Sequence, residues 1–288
     1  MPENRTFTIR PMRSEDLDQA LSLSLAEGWN QTERDWTLLL ENRYNVCIVA
    51  EKDGRVAGTA TALNHENKIA WIGMVLVDKS LRGMGAGKML LEHIIDKLRH
   101  IKSVKLDATP AGEPLYSKLG FIAEYKLFRM RREVSDYREG ITSWKNLSRI
   151  NDKIFNDLIR SDKVVFGADR SYLLNNLFKN FPDRTLYIEG GSGIDGYLFG
   201  RGGSHFSHVG PVVANSEDTA KCLISKALET LSDDPVGIDV PEYRQDLIKW
   251  LESIGFVIKR HFVRMYLNVN PFPGELKNQF LIGGPEYG

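Results

Sequence analysis

The chain repeats part of its own sequence, and this repeat limits the folds that it can adopt. The segment GFIAEYKLFRM at 120–130 aligns without gaps with GFVIKRHFVRM at 255–265, which lies 135 positions later. Further upstream, IGMVLV at 72–77 resembles VGPVVA at 209–214. Because the matches occur in the same order in both halves, we predict two copies of one fold in tandem.

Within the first half, hydrophobic patterning predicts alternating strands and helices. Two strands joined by a hairpin turn are predicted around the Asp-Gly pair at 53–54. The nearly continuous apolar run at 68–77 predicts a buried strand, helical spacing of apolar residues at 91–98 predicts a helix, and 103–110 predicts the next strand. A strand, helix and strand in this order indicate an α/β or α+β fold.

A charged, poorly periodic stretch, RREVSDYREGITSWK at 131–145, separates the two copies. It predicts a connection rather than a packed element. We therefore divide the sequence into a first domain at 1–132, a linker at 133–145 and a second domain at 146–288.

Composition argues against several classes of partner. The chain has 38 basic and 38 acidic residues, so its formal charge of zero provides no general attraction to nucleic acid or to an anionic membrane. Cys47 and Cys222 are far apart in sequence and lack the spacing of metal ligands. His205 and His208 are too isolated from other ligand residues to suggest a metal site. The polar N-terminal segment holds no signal-peptide core, and no apolar run approaches the ~20 residues of a membrane helix. We expect a cytoplasmic protein without metal, nucleic-acid or membrane partners. The sequence leaves open whether the protein forms a homodimer.

Three glycines follow the apolar run, in SLRGMGAGKMLLEHII at 80–95. A glycine-rich turn before a helix binds phosphate well, because backbone N–H groups and the helix dipole face the anion. A P-loop would need glycine at Arg82 and serine or threonine at Met89. A dinucleotide fingerprint beginning at Gly83 would need glycine at Lys88. The sequence therefore disfavours an ATPase or a dehydrogenase, while a plain tight turn is the remaining alternative.

The spacing R-x-x-G-x-G, formed by Arg82, Gly85 and Gly87, resembles the pyrophosphate loop of the GNAT superfamily of acyl-CoA-dependent N-acetyltransferases. The segment at 75–94 is similar to the central motif of that superfamily, and ATPAGEPLYSKLGF at 108–121 resembles the segment that closes its pantetheine slot. The second half resembles the degenerate C-terminal repeat of two-domain bacterial members. The resemblance implies tandem GNAT-like domains, each with a mixed, mostly antiparallel twisted sheet flanked by helices. It also implies acetyl-CoA as co-substrate, admitted between two splayed strands.

The same resemblance implies which residues bind acetyl-CoA. They are Val75, Leu76, Val77, Arg82, Gly83, Met84, Gly85, Ala86, Gly87, Lys88, Thr109 and Tyr116. The backbone of 75–77 would pair with the pantetheine arm like an added strand and supply an oxyanion donor. Tyr116 matches the family tyrosine that protonates the leaving thiolate, and an aromatic residue packed under the sheet is the alternative.

The acceptor side is predicted from LAEGWNQTERDW at 25–36, where the superfamily places acceptor-binding residues. An alkyl amine has a pKa near ~10, so a base must remove its proton before it attacks. Glu27 is the candidate base or amine-binding carboxylate, and Trp29 and Asn30 are candidate pocket residues. A solvated carboxylate, a core tryptophan and a helix cap are the simpler explanations of these three residues.

The second copy lacks these features. Its segment at 212–224 is glycine-free and shorter than the counterpart at 75–91, and Leu251 stands at the position of Tyr116. We therefore predict an N-acetyltransferase whose first domain transfers the acetyl group of acetyl-CoA to a primary amine of a small molecule. The amine attacks the thioester directly, and a tyrosine serves as the general acid. A non-catalytic acyl-CoA-binding or sensing protein, a structural protein, and a peptide or protein amine acetyltransferase are the alternatives.

Overall fold

The structure is a computed structural model that describes residues 7–134, 146–191 and 193–288. Most of the predicted linker, residues 135–145, lies outside the described residues, as do residues 1–6 and 192. Within the described ranges, no helix is both long enough and apolar enough to cross a membrane.

The first half alternates strands and helices as the patterning predicts. Its elements are β1 (Thr8–Pro11), α1 (Leu17–Ala26), α2 (Glu33–Glu41), β2 (Val46–Lys52), β3 (Arg55–His65), β4 (Ile69–Val77), α3 (Ala86–Lys97), β5 (Ser103–Ala108), α4 (Glu113–Lys118) and β6 (Phe121–Arg132). The hairpin predicted between β2 and β3 is present, and Asp53 and Gly54 both have the positive φ that a tight two-residue hairpin turn requires.

The second half repeats most of this order. Its elements are β7 (Leu147–Arg149), α5 (Asp152–Phe166), α6 (Ser171–Asn180), β8 (Leu186–Gly190), β9 (Gly193–Arg201), β10 (Ser207–Ala214), α7 (Glu217–Thr230), β11 (Val236–Pro241), α8 (Gln245–Ser253), β12 (Val257–Leu267) and β13 (Gln279–Leu281). The final strand, β13, has no counterpart among the described elements of the first half.

The strands of both halves form one sheet. Its order is β1-β2-β3-β4-β5-β12-β6-β11-β10-β9-β8-β7, and β13 pairs with β10. Neighbours are antiparallel except for β4 with β5 and β10 with β11. The prediction of a mixed, mostly antiparallel sheet flanked by helices is confirmed.

The two halves exchange their long late strands. β12 of the second half lies between β5 and β6, where Val263 pairs with Ala108, and β6 pairs with β11 of the second half. The boundary predicted at residue 132 therefore follows a strand that lies between two strands of the other half. Neither half completes its part of the sheet without the other.

Two buried ion pairs accompany this exchange. Arg129 of β6 binds both carboxylate oxygens of Asp239 at 2.8 and 2.6 Å, and Arg264 of β12 binds both oxygens of Asp107 at 2.9 Å. Arg129 and Arg264 occupy matching positions of the sequence repeat. Each arginine therefore pairs with an aspartate of the other half, and a bidentate guanidinium fixes the relative position of the two strands that it joins.

Helices cover the sheet on both faces. Along β4, Trp71 packs in a core shared by α1, α2, α5 and α6, whereas its neighbours Ala70 and Ile72 pack under α3. Because successive side chains of a strand point to opposite faces, these two cores lie on opposite sides of the sheet. A third core packs under α7 and α8 in the second half.

Candidate active site

The site begins where two neighbouring strands separate. β4 and β5 pair in parallel at their first residues, and the last paired residues are Ile72 and Leu106. β4 continues to Val77, so its later residues have an edge that β5 does not cover. This separation is the splay that the sequence resemblance implied.

A bulge in β4 shapes the splay. The pairing of β4 with β3 shifts register beside Met74, whose φ of 52° lies in the left-handed region. The hydroxyl of Thr59 donates to the carbonyl of Met74 at 2.7 Å, and the hydroxyl of Thr61 donates to the carbonyl of Gly73 at 3.1 Å. The two threonines therefore hold the bulged backbone in place.

The backbone beyond the bulge directs N–H groups to the open edge. The N–H of Asp78 donates to the carbonyl of Ala57 on the β3 side at 2.9 Å. Because N–H groups alternate between the two edges of a strand, those of Val77 and Val75 point away from β3, toward the splay. These are donors that an extended ligand arm or a developing oxyanion can use.

The glycine turn opens the N-terminus of α3. Gly83 and Gly85 have φ of 76° and 95°, and Gly85 precedes the first helical residue without a side-chain cap. A Cβ added at either glycine would meet no atom of the described chain within 4 Å, so the space beside the turn is open. The first N–H groups of a helix lack intrahelical partners, and this arrangement is one that suits an anion.

An open cleft with about 1550 Å³ of empty space joins this turn to the splay. The predicted acetyl-CoA residues that line it are Val75, Leu76, Val77, Arg82, Gly83, Gly85, Ala86, Gly87, Lys88, Thr109 and Tyr116. Met84 is not among the lining residues, because its side chain packs against the core under α3.

A second, inner pocket continues from the cleft. Five residues line both spaces: Trp29, Val75, Thr109, Tyr116 and Arg260. The inner pocket is also lined by Gln31, Asp107, Arg129, Phe262 and Glu286, and it contains about 540 Å³ of empty space. The exchanged strand β12 and the segment that follows β13 therefore close it.

Tyr116 stands where the cleft meets the inner pocket. Its ring packs edge to face on Phe121, with 5.8 Å between the ring centroids. Its hydroxyl has no hydrogen-bond partner among the described residues, and burial raises the pKa of the phenol above its ordinary value. Tyr116 is therefore packed against its neighbours, as the alternative of a packing aromatic residue predicts. It also presents a protonated hydroxyl, without a partner among the described residues, where the two spaces meet.

Glu27 lines the cleft beside the turn. Its carboxylate accepts a hydrogen bond from Arg82 at 2.5 Å, and the ammonium of Lys79 lies 3.5 Å away. Arg82 is half-exposed and also donates to the carbonyl of Val77 at 3.3 Å. The predicted acceptor carboxylate and the predicted pyrophosphate arginine therefore contact each other at the mouth of the cleft.

The structure separates Trp29 from Asn30. Trp29 lines both spaces, but Asn30 lines neither of them. The buried amide of Asn30 donates to the carbonyl of Phe206 at 2.9 Å and accepts from the N–H groups of His205 and Phe206. Asn30 therefore attaches the first half to a loop of the second.

Sequence reasoning did not identify the residues that the second half contributes. Arg260 and Glu286 reach the pocket through strand exchange and through the chain end, and neither lies in a motif of the first copy. The repeat gave a signal for two other residues of the pocket, Arg129 and Asp107, because an arginine and an aspartate recur at matching places in both copies. Among the described residues, no group of three or more metal-ligating side chains could hold a metal ion.

Comparisons with known proteins agree on the family. The model described as Acetyltransferase (GNAT) family matches residues 12–121, and the model described as Acetyltransferase (GNAT) domain matches residues 158–281. Holothin acyltransferase of Pseudoalteromonas sp. (strain SANK 73390) is 27% identical over 278 residues, which are 94% of this chain and 91% of that protein.

Two solved structures share the fold over nearly the whole chain. A protein of Pyrococcus horikoshii superimposes with a TM-score of 0.83 at 22% identity, over 98% of this chain and 96% of its own. A tandem GNAT protein from the clavulanic acid biosynthesis pathway has a TM-score of 0.65 at 14% identity, over 92% of this chain and 99% of its own. The chain thus belongs to the GNAT family of N-acetyltransferases, with two GNAT domains in tandem, and it is an acyltransferase.

Proposed function

We propose that the protein transfers the acetyl group of acetyl-CoA to the primary amine of a small molecule. The observation that carries the proposal is a cleft from the N-terminus of α3 along the open edge of β4, adjoined by an inner pocket that shares five of its lining residues. Gly83, Gly85 and the first N–H groups of α3 suit a pyrophosphate. The N–H groups of Val75 and Val77 suit the amides of a pantetheine arm.

The reacting end of the donor would lie beside the bulge of β4. An N–H group of β4 donates to the oxygen that becomes negative when the amine attacks the thioester carbonyl. Tyr116 gives its proton to the departing thiolate, which its raised pKa allows at neutral and mildly alkaline pH. The candidates to take the proton of the amine are the carboxylates that line these spaces, which are Glu27 in the cleft and Asp107 and Glu286 in the inner pocket.

Enclosure of the inner pocket favours a small acceptor. Residues of the exchanged strand β12 and of the chain end line one side of it, and five of its lining residues also line the cleft. A peptide or protein amine would have to enter past Trp29 and Tyr116. A peptide acceptor is therefore the second candidate.

An acetylation assay tests this proposal. The full chain is incubated with acetyl-CoA and a panel of small amines and peptides, and thiol release is measured together with product masses. We expect thiol release that depends on a small amine. CoA binding without thiol release would indicate a sensing protein, and acetylation confined to peptides would move the acceptor to the second candidate class.

A further inference from the structure

The charges of the inner pocket are unevenly compensated. Four charged side chains line it, and three of them have buried partners of opposite charge. These pairs are Asp107 with Arg264, Arg129 with Asp239, and Glu286 with Arg201. The fourth side chain is Arg260, and no carboxylate of the described residues lies within ion-pair distance of it.

Arg260 occupies an unfavourable position for a positive charge without a partner. It lies directly opposite Arg129 in the pairing of β12 with β6, after an irregularity in register that follows Ile258. Like charges opposite each other destabilise a sheet, and a bulge can turn a side chain toward a site. Burial and then the neighbouring Arg129 lower the pKa of Arg260, while the more distant carboxylates of Asp239 and Glu286 oppose this shift only in part. Its guanidinium packs 4.9 Å from the ring of Phe262.

The donor does not account for this charge. The phosphates of acetyl-CoA would lie at the N-terminus of α3, near Arg82 and Lys88, while the acetyl-thioester end near the inner pocket is neutral. Arg260 lines the inner pocket and its junction with the cleft, which is the acceptor side of the space. An anion at this position would have to belong to the acceptor.

A second polar group of the pocket also lacks a partner. Gln31 is 4% exposed, and its side-chain oxygen is buried without a hydrogen-bond donor among the described residues. It lines the same pocket as Arg260. An unpaired buried acceptor is costly, and an N–H group of a ligand would satisfy it.

We propose that the acceptor carries a carboxylate beside its primary amine, so that it belongs to the amino-acid class. Arg260 binds the carboxylate, because a planar guanidinium matches both of its oxygens. Gln31 accepts a hydrogen bond from the amine. In the reaction, a bond forms between the amine nitrogen and the acetyl carbon, the carbon–sulfur bond breaks, and one proton passes from nitrogen to base while another passes to sulfur. This inference rests on the proposed acetyl transfer.

Matched pairs of amino acids and their decarboxylated amines test it. The probes are phenylalanine with 2-phenylethylamine, tryptophan with tryptamine, leucine with isopentylamine and lysine with cadaverine. Each is assayed with acetyl-CoA and the wild-type chain, Arg260→Gln, Arg260→Lys and Lys259→Gln. Lys259 is the matched control, because it carries the same charge on the same strand and is exposed outside both spaces.

We expect the wild-type protein to prefer the carboxylate-bearing member of a pair. Arg260→Gln should raise its KM roughly 10- to 100-fold, as expected for loss of a charge-assisted hydrogen bond, with kcat and the KM for acetyl-CoA changed less than about 3-fold. Arg260→Lys should recover part of the loss, and Lys259→Gln should match the wild type. Thermal unfolding of each variant shows whether it is folded.

Three outcomes overturn the inference while leaving acetyl transfer intact. They are equal or better use of the decarboxylated amines, a change in the acetyl-CoA KM instead of the acceptor KM in Arg260→Gln, and acetylation of other amines but of no amino acid. If no amine is acetylated at all, the proposed function fails, and the inference fails with it.

Discussion

The two halves begin equivalent helices in different ways. In the first, β4 reaches α3 through an eight-residue turn in which Gly83 and Gly85 have positive φ, and no side chain caps the helix. In the second, β10 reaches α7 through two residues, and the hydroxyl of Ser216 accepts from the N–H of Thr219 at 3.1 Å. A helix that satisfies its own first N–H groups has little left to offer an anion. The second half therefore keeps the fold but not the open helix N-terminus of the first half.

The strands that precede these two helices, β4 and β10, also differ in whether their edge is open. The later residues of β4 have an edge that β5 leaves open, whereas β13 pairs with β10 at Val212 and Val213. In the sequence repeat, these two residues match Val75 and Leu76. The chain thus fills with its own strand the position that a pantetheine arm would take in the first half. We infer that one donor site operates per chain.

The largest expected effect comes from removing the hydroxyl of Tyr116, since its counterpart in the second half, Leu251, has none. Tyr116→Phe keeps the ring that packs on Phe121, so folding should survive. Loss of a general acid costs roughly 10²–10⁴-fold, and we expect kcat to fall by at least the lower figure. CoA affinity should change only a few-fold. Steady-state and single-turnover kinetics measure both.

Two controls sharpen the Tyr116 experiment. An acyl donor whose leaving thiol is more acidic should partly rescue Tyr116→Phe, because its thiolate needs less protonation. Tyr44→Phe, at an exposed tyrosine, should behave as the wild type. Full kcat in Tyr116→Phe, with chemistry shown to limit turnover, would assign Tyr116 to packing alone.

A carboxylate in the glycine turn should close the donor site. Gly85→Glu places a negative charge beside the expected pyrophosphate, and like charges a few Å apart near a protein surface cost several kcal/mol. We expect CoA affinity to fall by at least roughly 100-fold, measured by calorimetry. Gly85→Ala has the same backbone strain at φ 95° without the charge, and it should lose much less affinity. Unchanged binding by Gly85→Glu would remove the turn from the donor site.

The sequence predicted the elements that depend on residues close together in the chain. It did not predict the contacts between residues that lie far apart in the chain. The apolar run, the glycine turn and the helical spacing that follows all lie within residues 68–98, so they predicted β4, the glycine turn and α3. Asn30 was predicted to line the pocket, but a loop of the second half binds its amide. Arg260 belongs to the repeat that predicted a strand, yet nothing in that pattern indicated pairing with β6 and β5 of the first half.

Acid should weaken both halves through one buried histidine in each. Burial lowers the pKa of His65 and of His208 to about 3, while an unfolded histidine titrates near ~6.5. Between these values the unfolded chain binds more protons, so the free energy of unfolding falls as pH decreases below about 6.5. Each histidine should contribute a loss of about 2 kcal/mol by pH 5. Urea unfolding at pH 7.5 and pH 5 measures the sum.

Single substitutions separate the two histidines. His65→Phe and His208→Asn remove the titrating group from one half at a time, and each should reduce the pH dependence by about half whatever its effect at neutral pH. Because the exchanged strands join the halves, we expect one unfolding transition in every case. A pH dependence that survives both substitutions together would show that other groups control acid unfolding.

The smallest expected effect comes from Ser216, the residue that caps the N-terminus of α7. Ser216→Ala removes the cap and should lower the free energy of unfolding by about 1 kcal/mol. Asn151→Ala is the matched control, since Asn151 caps α5 of the same half through the N–H groups of Lys153 and Ile154. Neither variant should change the affinity or the stoichiometry of CoA binding in calorimetry, because β13 still covers the edge of β10. A second equivalent of CoA bound by Ser216→Ala but not by Asn151→Ala would show that the cap, and not β13, keeps the second half closed.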